Sequence, residues 1–302
     1  MTIKETYDVV ILGTGPAGLQ AAIHAARAKV SVLVMGREHK SSLYKAHVEN
    51  YCCVTEISGE ELLDQGVQQA KNSGANFLNE DVVKTTKQDN LYSIQTESGR
   101  TINTPALIMA MGINRNRLGV PGEKELIGKG VSYCVDCDAG FYKDSVVAVV
   151  GNESAAVVGA LTLLFYAAEV HLIVEQFQVS ERLAYQIQAS EVNVHIGRKV
   201  KEIVGGEQVE ALILDNGQRL NIDGVFIEKG AKGAIELAAL LGVALDEENF
   251  RYIVTDKQQK TNVAGIFAAG DICGPPWQMA KAVGEGCVAG ISAAEFAQKI
   301  DK

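Results

Sequence analysis

The sequence predicts an α/β protein built from two doubly wound, three-layer domains. The chain has 302 residues, and a length of about 150 residues per domain gives two domains. A pattern of apolar strand, glycine-rich turn, apolar helix and second strand also occurs twice, near the N-terminus and again after residue 146. Such β-turn-α-β units are typical of parallel sheets that are covered on both faces.

The first unit starts with an apolar strand at residues 7–12, followed by Gly13-Thr-Gly15-Pro-Ala-Gly18, a helix at 19–28 and a strand at 30–35. In a GxGxxG turn, the first glycine permits the tight turn, the second admits a pyrophosphate and the third allows close helix packing. The amide groups at the helix N-terminus are donors for phosphates. The unit predicts a dinucleotide site, and the alternative is a glycine-rich turn in an unrelated α/β fold.

The second unit has a strand at 146–150, the turn Gly151-Asn-Glu153-Ser-Ala-Ala156, a helix to about residue 168 and a strand at 170–174. Glu153 stands where the second glycine belongs. At ~5 Å and an effective dielectric constant of ~20, its repulsion of a pyrophosphate costs roughly 3 kcal/mol, about a hundredfold in affinity. The helix has no charged face, so it packs either in a subunit interface or under its own domain.

The end of the chain continues the α/β pattern. The pattern predicts mixed helix and turn over residues 230–260. It then predicts a strand at 266–269, which ends in Gly270-Asp271, and a closing helix at 283–296.

Composition excludes several classes of protein. Hydrophobic residues make up 47% of the chain and charged residues 22%, which excludes a disordered chain. A net charge of −9 argues against nucleic-acid or anionic membrane partners. The uncharged run 154–168 is too short for a membrane span, and the N-terminal residues lack a secretory pattern. We expect a soluble, cytoplasmic protein.

The pair Cys134-Val-Asp-Cys137 is the sharpest chemical feature. In a cytoplasmic α/β protein, CxxC indicates a redox or metal motif. A structural zinc site needs two further ligands, and no second CxxC or ligand-spaced histidine pair occurs. A dithiol that opens and closes is favoured over zinc and over two unrelated buried cysteines. Asp138 follows at once, either as a general acid/base or as a helix N-cap.

Taken in order, these motifs resemble the low-molecular-weight thioredoxin reductases over nearly the whole chain. The resemblance includes Val48-Glu-Asn50-Tyr51 and Trp277-Gln-Met-Ala280. It implies two Rossmann-like domains, the second inserted into the first: an FAD-binding domain split into residues 1–113 and 234–302, around a redox domain at 114–233. It also implies a flavin-dependent disulfide reductase that forms a homodimer.

The resemblance assigns roles to individual residues. Cys137 would lie next to the flavin, Cys134 would exchange with thioredoxin or a thioredoxin-like protein, and Asp138 would be the acid/base. No metal site is expected. The implied FAD-binding residues are Gly13, Gly15, Pro16, Ala17, Gly18, Arg37, Leu43, Asn50, Gly112, Gly270, Asp271, Gln278, Met279 and Ala280.

Two departures concern the electron donor. Glu153 alters the nicotinamide-binding turn, and Val174-Glu175-Gln176 stands where NADPH-using relatives carry a basic cluster. The chain therefore resembles the ferredoxin-dependent flavin thioredoxin reductases, and we expect ferredoxin or another one-electron donor. The alternatives are NADH or NADPH as donor, an electron-transfer flavoprotein without disulfide chemistry, or a flavin-bound redox sensor without turnover. Docking of an acidic ferredoxin needs basic residues, and the candidates are Arg115, Arg117, Lys124, Lys129, Arg198, Lys199, Lys201, Lys229 and Lys232.

Smaller departures surround the expected flavin site. Cys52 and Cys53 follow Asn50-Tyr51 and are either redox-active or, as we favour, buried or harmless, because vicinal disulfides are strained. Trp277 either covers the flavin edge or anchors the Pro275-Pro276 loop.

Overall fold

The computed structural model describes residues 3–113, 117–230, 233–247 and 251–300. The chain forms two compact units. The first comprises Met1–Thr96, Arg100–Ile113 and Gly233–Lys302, and the second comprises Glu97–Gly99 and Asn114–Lys232. The second unit is thus inserted in the sequence of the first.

The strands are short and mostly buried, which matches the brief apolar runs of the sequence. In chain order they are β1 Val9–Leu12, β2 Val32–Met35, β3 His47–Val48, β4 Ile57–Ser58, β5 Asn76–Leu78, β6 Val82–Gln88, β7 Leu91–Thr96, β8 Thr101–Thr104, β9 Ala106–Met109, β10 Val131–Ser132, β11 Val146–Val150, β12 Glu169–Val174, β13 Asn193–Ile196, β14 Val200–Gly205, β15 Val209–Leu214, β16 Arg219–Asn221, β17 Gly224–Ile227 and β18 Ile266–Ala268.

The helices lie between these strands and at the end of the chain. No helix in the described part of the chain is both long enough and apolar enough to cross a membrane. The helices are α1 Pro16–Arg27, α2 Gly59–Ser73, α3 Val135–Asp138, α4 Ser154–Leu163, α5 Glu181–Gln188, α6 Ala234–Leu240 and α7 Met279–Ile300.

The first unit is built on a parallel sheet in the order β18-β9-β1-β2-β5. All four residues of β1 are buried, as expected for a strand that is covered on both faces. Alternate residues such as Val9 and Ile11 pack with α1 and α7, whereas Val10 and Leu12 pack with β6–β8 and α6. The α/β prediction is confirmed, with an antiparallel sheet covering much of one face.

The second unit repeats this arrangement with the parallel order β10-β17-β11-β12-β13. One face packs with α3, α4 and α5, and the other packs with the antiparallel sheet β14–β16. The central strands correspond in register: Val9 pairs with residues of β2 and β9, and Val147 pairs with residues of β12 and β17.

Helix α4 is shorter than its apolar run predicts. It ends at Leu163 instead of near residue 168, because the following residues turn back, and the amide of Ala168 donates to Ser145 O at 2.9 Å to begin β12. Seven of its ten residues are buried by the chain itself. Its apolar character is therefore explained within its own unit and supplies no argument for a dimer.

Helices α1 and α7 approach each other closely through glycines. A Cβ atom on Gly286 would lie 2.2 Å from Ala17 O, and one on Gly290 would lie 2.3 Å from Ala21 O. Only glycine permits this backbone contact. Helix α7 also begins four residues before the predicted helix and ends four residues after it.

This contact predicts unequal effects of two glycine substitutions on the same helix. Gly290→Ala should lower the free energy of unfolding by about 1–3 kcal/mol, the usual effect of overpacking. Gly284→Ala is the matched control, because nothing lies within 4 Å of its added Cβ and alanine favours a helix by about 0.5–1 kcal/mol. Urea unfolding followed by circular dichroism measures both. Equal stabilities of the two variants would contradict the close contact.

Candidate active site

A disulfide joins Cys134 and Cys137 in the second unit, with Cα atoms 5.3 Å apart. Cys134 is the N-cap of α3, and the amide of Cys137 donates to its Sγ at 3.1 Å. This donor stabilises negative charge on Cys134 once the bond opens. Among the described residues, no group of three or more His, Cys, Asp or Glu side chains has the placement of a metal site. The pair is thus arranged for dithiol/disulfide chemistry.

Asp138 is tied to the same turn by a shared hydroxyl. Ser132 Oγ donates to Asp138 Oδ2 at 2.6 Å and accepts from the Cys134 amide at 3.1 Å. The interpretation of Asp138 as a capping residue is wrong, because Cys134 caps α3 and the Asp138 side chain makes no capping bond to the 3₁₀ turn that follows. Burial raises the pKa of Tyr142, and the negative charge of Asp138 raises it further.

Glu228 is a buried residue of this site that belongs to no sequence motif. It follows β17, is 7% exposed, and its Oε1 accepts from the Val135 amide at 2.9 Å. The carboxylate therefore anchors the first residue of α3 from the neighbouring strand. An internal comparison could have found it, since Ala110 occupies the corresponding place in the first unit: Ala110 N donates to Leu12 O and Glu228 N donates to Val150 O.

The glycine-rich turn of the first unit fits a pyrophosphate. Gly13 has φ +117°, and its added Cβ would lie 2.3 Å from Ala110 O. An added Cβ on Gly18 would lie 2.0 Å from Gly13 O. Gly15 caps α1 and Pro16 opens it, with Ala17 next and no acidic residue in the first turn. The first amide groups of a helix lack intrahelical acceptors, so this end suits an anionic group.

Residues from the other end of the chain meet this turn. Gly270 has φ +89°, and its added Cβ would lie 3.0 Å from the Cβ of Ala17. Its amide donates to Glu285 at 2.8 Å, and Lys281 donates to its carbonyl at 2.9 Å. Burial raises the pKa of Asp271. The positive charge of Lys281 lowers this pKa, and the negative charge of Glu285 raises it again. The structure thus joins two predicted FAD segments that lie more than 250 residues apart.

A second junction lies at the start of α7. Asn50 Nδ2 donates to Gln278 Oε1 at 3.2 Å, so these two predicted FAD residues are neighbours. Met279 and Ala280 are the first two residues of the helix. Trp277, just before them, is 59% exposed.

The remaining predicted FAD residues have separate surroundings in the first unit. Arg37 Nε lies 3.5 Å from the buried carboxylate of Asp81. Leu43 packs against the small cluster that includes Leu63. Gly112 follows β9 with φ +66°. Their contacts with FAD stay predictions.

The corresponding turn of the second unit is modified. An added Cβ on Gly151 would lie 2.0 Å from Glu228 O, so the first glycine is retained for the same reason as Gly13. Glu153 takes the place of Gly15 in an extended conformation. The amide of Ala155, in the first turn of α4, donates to Gly230 O at 3.3 Å. An amide that a phosphate would use is thus already bonded within the protein.

A small cavity of about 120 Å³ opens beside this turn. Glu175 lies there, pairing with Lys199 at 2.8 Å, and its amide donates to Asn152 Oδ1. Three predicted docking residues line the cavity together: Arg198, Lys199 and Lys229. Lys229 Nζ also donates to Arg117 O at 3.3 Å. Two other candidates, Arg115 and Lys232, lie outside the described residues.

Comparison with known proteins identifies the family. The model of the pyridine nucleotide-disulphide oxidoreductases matches residues 7–286. The chain belongs to this family. It is 34% identical to a thioredoxin reductase of Listeria innocua over 98% of this chain and 96% of that protein. It is also 32% identical to a thioredoxin reductase of Bacillus subtilis over 100% of this chain and 98% of that protein.

Solved structures give the same assignment. The atypical thioredoxin reductase TRi from Desulfovibrio vulgaris Hildenborough is 32% identical, with a TM-score of 0.83 over 96% of this chain and 98% of that chain. A ferredoxin-flavin thioredoxin reductase from Clostridium acetobutylicum is 31% identical, with a TM-score of 0.68 over 98% and 99%. This oxidoreductase is therefore a flavin-dependent, thioredoxin reductase-like disulfide oxidoreductase, and its cofactor is FAD.

The Glu228 anchor gives a prediction for this oxidoreductase. Glu228→Leu leaves the Val135 amide buried without its acceptor, so the free energy of unfolding should fall by about 1–3 kcal/mol. Glu228→Gln keeps an oxygen acceptor at that point and should lose clearly less. Urea unfolding of the two oxidised variants and the wild type makes the comparison. If leucine and glutamine are equally destabilising, the hydrogen bond is not what holds α3.

Proposed function

We propose that this oxidoreductase passes electrons from ferredoxin, or a similar one-electron protein, to thioredoxin or a thioredoxin-like protein. The observation that carries the donor proposal is Glu153 in the place of the second glycine. The proposal also takes Cys134, Cys137 and Asp138 as the catalytic residues, and it keeps the homodimer on the resemblance alone, to be tested by solution mass.

The residues of the α3 turn account for the thiol chemistry. When bound, FAD would supply the electrons that open the Cys134–Cys137 disulfide, and the Gly13–Gly18 turn with Gly270 and Asp271 would hold it. Cys134 then attacks the disulfide of the protein substrate to form a mixed disulfide, and Cys137 displaces the substrate thiol as the internal disulfide closes. Asp138, oriented by Ser132, transfers the proton.

Exposed aromatic surface supports a protein as the electron acceptor. Phe141, four residues after Cys137, is 83% exposed. On the same unit, Phe165 is 87% exposed and Tyr185 is 74% exposed. Exposed aromatic side chains are enriched at protein interfaces, where they dominate the binding energy. A thioredoxin-like partner fits the exposed aromatic side chain of Phe141, four residues from the redox pair.

The altered turn of the second unit supports a donor other than a pyridine nucleotide. The carboxylate of Glu153 repels a pyrophosphate, and the Ala155 amide already has an acceptor. The cavity beside the turn is lined by three cationic side chains and the carboxylate of Glu175. This local excess of positive charge, on a chain with net charge −9, suits an acidic electron-transfer protein.

NADH or NADPH is the second candidate donor, and the cationic side chains of the same cavity are the observation in its favour. Arg198, Lys199 and Lys229 can attract a phosphate as well as an acidic protein. Glu175 can accept hydrogen bonds from ribose hydroxyls if its pairing with Lys199 opens.

Anaerobic mixing separates the donors. We expect reduced ferredoxin to bleach the flavin absorbance of the holoprotein quickly, whereas NADH and NADPH at micromolar concentrations leave it unchanged. The same measurement on Lys229→Glu checks the cationic cavity, since its flavin should be reduced more slowly by ferredoxin at low salt. Rapid bleaching of the wild type by NADPH or NADH would replace the ferredoxin proposal with the second candidate.

Loss of the resolving thiol tests the catalytic assignment. Cys137→Ser should abolish thioredoxin reduction, because the variant cannot form the internal disulfide and therefore has no disulfide for the flavin to reduce. Bound FAD should remain, since the predicted FAD residues of the first unit are unchanged. Thioredoxin turnover and the visible spectrum give the two readouts. A wild-type protein that turns over no thioredoxin with any donor would instead indicate a redox sensor.

A further inference from the structure

A second pair of cysteines lies in the first unit. Cys52 and Cys53 are both exposed free thiols, and their Sγ atoms are 3.6 Å apart. Of the two favoured explanations for this pair, burial or a harmless substitution, burial is therefore wrong. The Cys134–Cys137 disulfide belongs to the other unit, so the chain carries two sulfur pairs of different kinds.

The loop holds the two sulfurs together. Cys53 adopts φ +70°, a left-handed conformation that is uncommon for residues other than glycine. The amide of Val54 donates to Tyr51 O at 3.0 Å and closes the turn around the pair. On the other side, Asn50 is bonded to Gln278. The pair is thus set in a hydrogen-bonded turn that follows directly on Asn50.

Geometry disfavours a disulfide between these neighbours. Adjacent Cα atoms are about 3.8 Å apart across a trans peptide, whereas disulfides span about 4.4–6.8 Å between Cα atoms. A bond between Cys52 and Cys53 would therefore be strained, and the pair is retained as a dithiol. Two adjacent thiols that resist oxidation to a disulfide remain available to a ligand that bonds to both.

The sulfur separation selects the ligand. A thiophilic atom bonds sulfur at about 2.3 Å, as in zinc sites, so two sulfurs 3.6 Å apart enclose an angle of about 100° at that atom. A linear two-coordinate ion needs sulfurs about 4.6 Å apart by the same bond length. A tetrahedral metal needs further side-chain ligands, and no group of three is present in the described parts of the chain. A pyramidal atom with two sulfur bonds fits the pair.

We propose that Cys52 and Cys53 form a binding site for monosubstituted trivalent arsenicals. The arsenic of R–As(OH)₂ condenses with both thiols: two arsenic–sulfur bonds form, two arsenic–oxygen bonds break and two water molecules leave. Arsenic remains trivalent, so the step needs no oxidant or reductant. Phenylarsine oxide, which is R–As(OH)₂ with a phenyl substituent in its hydrated form, is the probe. The site is independent of the proposed electron donor and acceptor.

The test uses the holoprotein of the Cys134→Ser/Cys137→Ser double variant, because the excess monothiol that removes arsenic from isolated cysteines would also reduce the Cys134–Cys137 disulfide and expose a second dithiol. Phenylarsine oxide is added in the presence of that monothiol, and all further substitutions are made in this background. Native mass spectrometry should show one phenylarsenic group per chain, released by a dithiol such as 2,3-dimercaptopropanol. Cys52→Ser and Cys53→Ser should each lose the adduct, because one sulfur bond remains. The controls Cys273→Ser and Cys287→Ser should keep it.

The double variant removes the redox pair as a competing dithiol, so its one phenylarsenic group reports on Cys52 and Cys53 alone. The wild type should bind a second group once the monothiol has reduced its Cys134–Cys137 disulfide. The flavin spectrum of every variant reports that the protein is folded. The proposal is overturned if the double variant takes up no arsenic, or if Cys52→Ser or Cys53→Ser in that background keeps the adduct.

Discussion

The close contact of α1 with α7 is the constraint on which the first unit depends. Gly286 and Gly290 bring the backbone of α7 within reach of carbonyl groups in α1, where any side chain would collide. This contact places Gly270 beside Ala17 and so joins the glycine-rich turn to a segment from the end of the chain. The inserted unit can therefore interrupt the sequence without separating the two predicted FAD segments, because the two parts of the first unit are held by direct helix packing.

The two units show what a repeated fold preserves and what it changes. Gly13 and Gly151 occupy the same crowded position, against the carbonyls of Ala110 and Glu228 respectively, and both are glycine for steric reasons. The residues predicted to face a ligand have diverged: the second glycine of the first turn, Gly15, is replaced by Glu153 in the second turn. Ala110, with no polar side chain, has Glu228 as its counterpart, and that carboxylate anchors the redox turn. The two units share the glycines that close packing requires, but they differ in the polar and charged residues around the turn.

Much of this could be predicted from the sequence because it depends on local patterns. Apolar strands, glycine turns and CxxC each fit within a few residues, and their order gave the α/β fold and the family. The end of α4 was predicted wrongly because its last apolar residues form a turn that only pairing with Ser145 defines. The role of Glu228 and the exposure of Cys53 were not predicted for a related reason. Glu228 acts through a contact with Val135, 93 residues away, and Cys53 has a left-handed backbone conformation, and no sequence motif encodes either feature.

The hydrogen bonds around Ser132 make the redox turn nearly self-contained. Its hydroxyl links the Cys134 amide to the Asp138 carboxylate, and the Cys137 amide points back to the Cys134 sulfur, all within seven residues. The turn after β11, by contrast, holds Glu153, on which the donor proposal rests. If the proposed function holds, the source of electrons can change by substitution in one loop while the thiol pair that serves the protein substrate stays intact, so a change of donor in evolution needs no redesign of the thiol chemistry.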